Sequence, residues 1–466
     1  SLKHIYIHHD TEDIKEVKAN EFYAIAYGLK SETVTCRRVK ENKDFTKKID
    51  AILLHKYFGI PLFLFFMWLL FQATFEFGNI PMDYIDAAVG TFGDYVGSLI
   101  SNEHLKSLIV DGIIAGVGAV LLFLPNILIL YIGIALLETT GYMSRVAFLL
   151  DGFFHKFGLH GKSFIPLVTG FGCSVPAYMA ARTLKNEKDR LITLFIIGFM
   201  SCGARLPIYV LFTGAFFSQS VAGNILFLIY ISGAFLGLVM AKILRLVVFK
   251  GEDEPFVMEM PKYRLPSLKL IWHTVYSNAV SYVKKAGTFI LLAAVLIWFA
   301  SNYPKNQELQ MSYSAKVASE TNSTKKSLLE NELQSKLLEQ SYLGQIGKAT
   351  EPFFAPLGFD WRLSVALETG LAAKEVVVST LGVLYSLGEV DESSDSLKEI
   401  LAKNLTLPVA LSFIVFVMIY LPCFAAATVF TKEAGGIKYL GYLILFTTVT
   451  AWLFAFITYR VALLLL

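Results

Sequence analysis

The stretch TGFGCSVPAYMAAR, residues 169–182, lies between two apolar segments, SFIPLV at 163–168 and LITLFIIGFM at 191–200. A helix in a lipid bilayer must satisfy its own backbone polar groups, so it normally runs without interruption. Glycine within a span is most often explained by close helix packing. Packing does not require the cysteine, serine and proline found here. Their presence predicts a broken helix whose backbone faces a passing solute.

The composition of the whole chain indicates a polytopic membrane protein. Of its 466 residues, 55% are hydrophobic and 17% are charged, whereas a soluble domain carries about 25% charged residues. Several apolar runs approach the ~20 residues that a bilayer span requires. Continuous spans are predicted at about 57–77, 108–137 (bent near Pro125), 188–217, 223–249, 286–303, 406–430 and 440–464. The small net charge of +3 gives no indication of a nucleic-acid partner.

The basic residues predict an orientation. Lys43, Lys47 and Lys48 precede the first span, and such a bias is typical of the cytoplasmic side. Residues 1–50 are therefore expected to form a cytoplasmic helical segment, and residues 51–466 a transmembrane transport domain. The polar insert at 304–350 is then extracytoplasmic. An amphipathic helix at the cytoplasmic interface is expected over 261–285.

Two interrupted apolar segments, about 163–181 and 363–387, resemble each other. LVTGFGCSVPAYMA and ALETGLAAKEVVVS align at an offset of 200 residues, and each is followed by a cysteine near a proline, in FMSCGARLP and IYLPCFAAA. On the predicted topology the two segments enter the membrane from opposite sides. The expected fold is an all-α polytopic membrane protein with an inverted repeat and two broken helical segments. Many transporters build their substrate site in this way.

The candidate transport path lies within about 163–217 and 363–430. The residues proposed to line it are Cys173, Cys202, Cys423, Ser174 and Gly172. Because proline has no N–H to donate, Pro176, Pro207 and Pro422 should free the carbonyls near Gly172, Gly203 and Met418. A site of one or two sulfurs plus carbonyls suits Fe²⁺ better than Mg²⁺ or Ca²⁺. The alternative is that each cysteine is a small buried core residue.

Three charged residues are secondary candidates. Lys374 and Glu375 lie in an apolar segment, where each charge costs ~2.5–3.5 kcal/mol at a helix centre. We expect the backbone to unwind there, with Lys374 lining the cavity and Glu375 anchoring a neighbouring group; the alternative is a snorkelling pair at the outer interface. Glu138 is favoured as an interfacial ion pair with Arg145 over an exit ligand for Fe²⁺.

Motifs for catalysis are absent from the sequence. No HExxH pattern occurs in a span, and GLHGKS at 158–163 has Lys156 where a P-loop requires glycine. A membrane hydrolase therefore lacks support, and a receptor or scaffold would leave the repeat unexplained. A carrier of nucleosides or other organic solutes is the remaining alternative. It would require more hydrogen-bonding side chains in the broken segments.

Five motifs resemble, in order, the membrane domain of the FeoB family of bacterial ferrous iron transporters. They are GLHGKSFIPLVTGFGCSVPA, FMSCGARLPIYVLF, SYLGQIGKATEPFFAPLGFDWR, GLAAKEVVVSTLG and YLPCFAAA. The resemblance runs from about residue 13 to the end, and the family's two Gate motifs correspond to the broken segments. It implies a Fe²⁺ path in the bacterial inner membrane, with Cys173, Cys202 and Cys423 as pore cysteines and the N-terminus in the cytoplasm.

The same resemblance implies partners beyond the bilayer. FeoB proteins begin with a GTPase domain, which uses GTP and Mg²⁺, and a helical linker to the membrane. Here EDIKEVKANEFYAIAYGL resembles the last helix of that linker, and the GTPase domain is missing, so no GTP hydrolysis is expected from this chain. Small accessory Feo proteins are further candidate partners. A homo-oligomer and the choice between channel and alternating access stay open.

Overall fold

A computed structural model describes residues 43–465 except 56–57, 123, 185, 250–262, 305, 320–322, 389–390 and 392–393. Contacts divide the chain into residues 1–52 and residues 53–466. Most of the predicted linker segment, with Cys36, lies outside the described residues. Throughout the described part every regular element is a helix, which confirms the all-α prediction.

The first half of the chain contains eleven described α-helices. They are α1 (Lys43–Leu53), α2 (Gly59–Leu99), α3 (Glu103–Ser107), α4 (Ala115–Leu122), α5 (Leu124–Thr139), α6 (Tyr142–His155), α7 (Phe164–Gly172), α8 (Ser174–Ala180), α9 (Glu187–Ile197), α10 (Leu206–Phe216) and α11 (Gln219–Val247). A π-helical stretch, Leu108–Ile114, joins α3 to α4, and 3₁₀ turns occur at Gly161–Ser163, Ala181–Thr183 and Gly203–Arg205.

The second half contains ten described α-helices. They are α12 (Leu268–Asn302), α13 (Gln307–Ser319), α14 (Ser323–Gln340), α15 (Tyr342–Phe354), α16 (Trp361–Ala372), α17 (Val376–Leu384), α18 (Asp395–Asn404), α19 (Leu407–Ile419), α20 (Phe424–Ala434) and α21 (Ile437–Leu465). A 3₁₀ turn, Ala355–Leu357, follows α15.

Five helical stretches of the described chain are long and apolar enough to cross a bilayer. They are Gly59–Leu99, His104–Thr139, Ser220–Val247, Leu407–Ala434 and Ile437–Leu465. Their outer surfaces carry exposed aromatic side chains such as Trp68 and Phe227. An apolar outer surface of this kind requires lipid around it. The chain is therefore a multi-pass membrane protein.

Two helices are longer than the sequence predicts. Helix α2 extends to Leu99 instead of ending near residue 77, and Pro81 lies inside it without ending it. Its 41 residues span about 60 Å. Helix α12 joins the predicted interfacial helix at 261–285 to the predicted span at 286–303. No proline separates those two segments, and Gly287 alone does not interrupt the helix.

The insert at 304–350 is helical, as the sequence predicts, and it is attached to the second broken segment. In the α13–α14 pair, Lys336 Nζ donates to Tyr313 Oη at 2.5 Å, and Tyr313 Oη donates to Glu332 Oε1 at 2.8 Å. Ser335 Oγ of α14 donates to the Leu384 carbonyl at the end of α17, at 3.0 Å. This hydrogen bond attaches the insert to the end of α17.

Many of the most deeply buried side chains belong to the broken helices. Fully buried residues include Tyr178 of α8, Ile196 of α9, Phe212 of α10, Phe413 of α19 and Phe430 of α20. The core of the membrane domain is thus built from short helices, with α2, α11, α12 and α21 outside them. This arrangement places the helix breaks in the middle of the protein.

Candidate ion path at four helix breaks

Four apolar segments are interrupted by non-helical residues. The breaks lie between α7 and α8 at residue 173, between α9 and α10 at 198–202, between α16 and α17 at 373–375, and between α19 and α20 at 420–423. The first and third are the predicted broken segments. The second and fourth correct the prediction of continuous spans at 188–217 and 406–430. Pro207 lies in the first turn of α10, just after the second break, and Pro422 lies within the fourth break. Each proline lacks the N–H that a continuous helix would use there.

The two halves of the path repeat one another in backbone conformation. Cys173 has φ −152° and ψ 131°, and Ala373, 200 residues later, has φ −149° and ψ 128°. Cys202 has φ −75° and ψ 164°, and Cys423, 221 residues later, has φ −56° and ψ 158°. These pairs follow the offsets of the sequence alignment. They agree with the predicted internal repeat; its inverted orientation in the membrane stays a prediction.

Each candidate cysteine is the residue directly before a helical turn. Cys173 precedes α8, Cys423 precedes α20, and Cys202 precedes a 3₁₀ turn. All three are free thiols with partial exposure, and they lie within electrostatic range of one another. Within the described ranges, however, no three His, Cys, Asp or Glu side chains converge to hold a metal ion. The three thiols therefore do not form a ready chelating site within the described residues.

The other two path candidates occupy different surroundings. Ser174, the first residue of α8, is buried beside Cys173. A methyl group added at Gly172 would lie 3.0 Å from a ring carbon of Phe71 and 3.2 Å from a methyl of Leu130. The space beside Gly172 is therefore used for close helix packing.

Arg205 is the principal residue that sequence reasoning missed. Its side chain is 2% exposed, and its Nη1 donates to the carbonyls of Gly198 and Met418, each at 2.9 Å. Its Nη2 donates to the Tyr420 carbonyl at 3.3 Å. The Met418 carbonyl, which Pro422 was predicted to free, is thus satisfied by a guanidinium. An arginine within an apolar segment was the available signal, since intramembrane charges are costly and functional.

The backbone unwinds at Lys374 and Glu375, as predicted. Lys374 is 2% exposed, which excludes the snorkelling alternative for it; its Nζ donates to the Leu421 carbonyl at 2.8 Å and lies 3.0 Å from the centre of the Tyr420 ring. Glu375 is half-buried, and within the described chain no hydrogen bond or ion pair joins its carboxylate to another residue. The anchoring role predicted for Glu375 thus belongs to Lys374.

The predicted ion pair between Glu138 and Arg145 is wrong. Glu138 is exposed at the end of α5, whereas Arg145 is 1% exposed in α6. Arg145 Nη1 donates to the Gly141 carbonyl at 2.9 Å, and its guanidinium lies 3.7 Å from the centre of the Tyr263 ring. The Arg145 side chain is buried against the residue before its own helix, so it does not pair with the exposed Glu138. The role of Glu138 as an exit ligand stays a prediction.

An ion pair joins the far ends of α8 and α20, the two short helices that directly follow Cys173 and Cys423. Arg182 follows α8, and Glu433 lies in the last turn of α20. Arg182 Nε donates to Glu433 Oε2 at 2.8 Å, and its Nη2 donates to Glu433 Oε1. The two copies of the repeat are therefore connected at this end as well as at Arg205.

Comparison with known proteins identifies related sequences along nearly the whole chain. A Gate family model described as "Nucleoside recognition" matches residues 120–216 and 283–437, and the model "Ferrous iron transport protein B C terminus" matches 226–278. The "Fe(2+) transporter FeoB" of Campylobacter jejuni is 62% identical over 428 residues, which are 92% of this chain and 67% of that protein. The protein of that name from Helicobacter pylori is 52% identical over 464 residues, covering 97% and 72%.

A third relative differs in its domain content. The "Fe(2+) transport protein A/Fe(2+) transporter FeoB fusion protein" of Porphyromonas gingivalis is 43% identical over 471 residues, which are 97% of this chain and 56% of that protein. No solved structure matches the chain.

Proposed function

The chain belongs to the FeoB family, and from that membership we propose that it carries Fe²⁺ across the membrane past Cys173, Cys202 and Cys423. The observation that carries the proposal is the position of the three thiols at repeat-related helix breaks in the core of the protein. Thiolate sulfur is a soft ligand that favours Fe²⁺ over Mg²⁺ and Ca²⁺. The relatives from C. jejuni and H. pylori are named as transporters of the same metal ion.

The chemistry of the breaks suits transient binding. A structural metal site closes around its ion with a full set of ligands, whereas the described residues offer no such convergent set. Of the carbonyls freed at the breaks, those of Met418 and Leu421 are already bonded to Arg205 and Lys374. The ion would therefore exchange water for one sulfur at a time and leave easily.

The direction and control of transport belong to the same proposal. The relatives from C. jejuni and H. pylori are longer than this chain, which covers 67% and 72% of them. We place a cytoplasmic GTPase domain before residue 1, and this domain would bind GTP and Mg²⁺ and regulate inward flux across the bacterial inner membrane. The fusion in P. gingivalis makes a small Fe²⁺ transport protein A a candidate partner.

Uptake into proteoliposomes containing the purified chain tests the function. We expect Fe²⁺ uptake to exceed that of Mn²⁺, Zn²⁺ and uridine. Uridine is included because the Gate model is described as nucleoside recognition. Preferential uridine uptake would favour an organic-solute carrier instead.

Substitution of single cysteines tests the path. Cys173→Ser should reduce Fe²⁺ flux most, because the exchange of sulfur for a harder hydroxyl weakens Fe²⁺ binding at the start of α8. Cys36→Ser is the matched control, since Cys36 lies in the polar N-terminal sequence and outside the apolar segments that contain the other three cysteines. Normal flux from correctly folded Cys173→Ser protein would contradict the path.

A further inference from the structure

We infer that Arg205 is a positioning residue, which ties the two copies of the repeat together and holds the segments of Cys202 and Cys423 in place. Its relevance to Fe²⁺ flux rests on the proposed function, but its effect on the two thiols does not. Three features support the inference: the two helix ends that Arg205 joins, the connection of both ends to the cysteines, and the absence of a second residue of this kind in the repeat.

The guanidinium of Arg205 lies between the carboxyl ends of two helices. Helix α9 ends at Ile197, next to Gly198, and helix α19 ends at Ile419, next to Met418. Carbonyl groups at a helix C-terminus carry partial negative charge and lack helical donors. One nitrogen, Nη1, donates to a carbonyl of each end at 2.9 Å. Because the guanidinium is buried, water does not compete for either bond.

Both of these helix ends lead directly to a cysteine. Arg205 closes the turn that begins after Cys202, and its backbone N–H donates to the Cys202 carbonyl at 3.0 Å. On the other side, its Nη2 donates to the Tyr420 carbonyl at 3.3 Å, three residues before Cys423. Lys374 holds the next carbonyl, that of Leu421. The segment that leads to Cys423 is thus bonded on consecutive residues by two cations from the rest of the core.

The chain contains one such arginine for two copies of the repeat. At the offset of 221 residues that relates Cys202 to Cys423, the counterpart of Arg205 is Ala426. A single side chain therefore serves both breaks. Only arginine suits this position, because its planar fork directs several N–H donors at separate acceptors, whereas lysine presents one ammonium on a flexible stem.

The test measures the rate at which N-ethylmaleimide modifies each thiol in the full chain. Cys173, Cys202 and Cys423 are each kept in turn as the only cysteine. We expect Arg205→Met to accelerate modification of Cys202 and Cys423 at least tenfold and to leave Cys173 within twofold of its original rate. Arg205→Lys should give a smaller acceleration at the same two thiols.

Arg145→Met is the matched control. Arg145 is as deeply buried as Arg205 and also donates to a backbone carbonyl. That carbonyl belongs to Gly141, between α5 and α6, and to none of the four breaks of the candidate path. It should leave all three rates unchanged. Equal acceleration at all three thiols in Arg205→Met, which indicates general loosening, would overturn the inference, as would unchanged rates at Cys202 and Cys423.

Two further arrangements keep the result decisive. If Arg205→Met does not fold, the Arg205→Lys rates decide, and equal rates at all three thiols would then refute the inference. Fe²⁺ uptake is measured on the same proteins with all cysteines present. Absence of uptake in the unsubstituted chain would contradict the proposed function, while the labelling rates would still decide the role of Arg205.

Discussion

At the scale of single residues, two buried cations replace backbone hydrogen bonds that the broken helices have lost. Arg205 and Lys374 donate to carbonyls at the breaks, so neither cation lacks a partner and neither carbonyl lacks a donor. Removal of one partner leaves the other buried and unsatisfied, which costs more than the hydrogen bond itself contributes. Substitutions at these positions should therefore affect stability and flux together.

Lys374→Met should lower both the stability and the Fe²⁺ flux of the chain. Loss of the ammonium leaves the Leu421 carbonyl without its donor, a penalty of about 1–3 kcal/mol in the free energy of unfolding. Thermal unfolding in detergent and proteoliposome uptake measure the two effects. Lys348→Met is the control, because Lys348 forms a half-exposed ion pair with Glu339, and such pairs contribute about 0–1 kcal/mol. Equal stability of the two variants would contradict the prediction.

Glu375→Gln should separate flux from stability. The carboxylate has no hydrogen bond to another residue within the described chain, so its loss should change the unfolding temperature little. It lies within electrostatic range of Cys173 and Cys423, where a negative charge attracts a divalent cation. We expect Fe²⁺ flux to fall several-fold with normal yield. Unchanged flux would show that the charge has no part in the path.

At the scale of elements, α7 packs closely against the break at 198–202, and α16 packs closely against the break at 420–423. A methyl group on Gly170 would lie 2.9 Å from Met200 Cβ, and one on Gly370 would lie 2.6 Å from Tyr420 Oη. These two glycines occupy equivalent positions in the repeat, 200 residues apart. The internal repeat therefore extends to the contact between successive elements.

Gly370→Ala should destabilise the chain by about 1–3 kcal/mol, the usual cost of overpacking a core. The added methyl group would also lie 2.6 Å from Val377 Cγ2, so α16 would have to move away from α17 and from the break. Gly441→Ala in α21 is the control, since nothing lies within 4 Å of the added group. It should stabilise its helix by up to about 1 kcal/mol. Chemical unfolding of both variants provides the comparison.

At the scale of the whole molecule, the copies of the repeat are joined at two levels. Arg205 bonds the breaks, and the Arg182–Glu433 pair bonds the ends of α8 and α20. The arginine of this pair is 47% exposed, so the pair contributes only about 0–1 kcal/mol to stability. A contact of that strength can separate without unfolding the core. The ion pair can therefore hold the ends of α8 and α20 together reversibly.

Glu433→Gln should increase Fe²⁺ leak through proteoliposomes and leave the unfolding temperature nearly unchanged. The reverse pair, Arg182→Glu with Glu433→Arg, should restore the original leak, because the attraction between the two side chains is regained. The unsubstituted chain, Arg182→Glu, Glu433→Arg and the reversed pair form a double-mutant cycle, which isolates the pairwise effect. Additive effects in this cycle would show that the two residues act separately.

The sequence predicted the framework of the path but not its internal bonding. Proline, glycine and cysteine at Cys173, and two adjacent charges at Lys374, identified two breaks because these residue types disturb a helix locally. The breaks before Cys202 and Cys423 lie in apolar runs whose composition also fits a continuous span. The hydrogen bonds of Arg205 could not be predicted from the sequence, because its acceptor Met418 is 213 residues away in the chain. Contacts between such distant residues leave no local pattern.

That separation has a consequence for biosynthesis. A ribosome adding about 5–20 residues per second makes Met418 about 10–40 s after Arg205. During this interval the nascent first copy contains a cation with one final acceptor, the Gly198 carbonyl, while the other two, the carbonyls of Met418 and Tyr420, do not yet exist. We expect a chain truncated after residue 405 to be degraded rapidly in cells, and co-expression of residues 406–466 to extend its half-life in a pulse-chase measurement. The membrane domain would then mature only once residues 406–466 have been inserted.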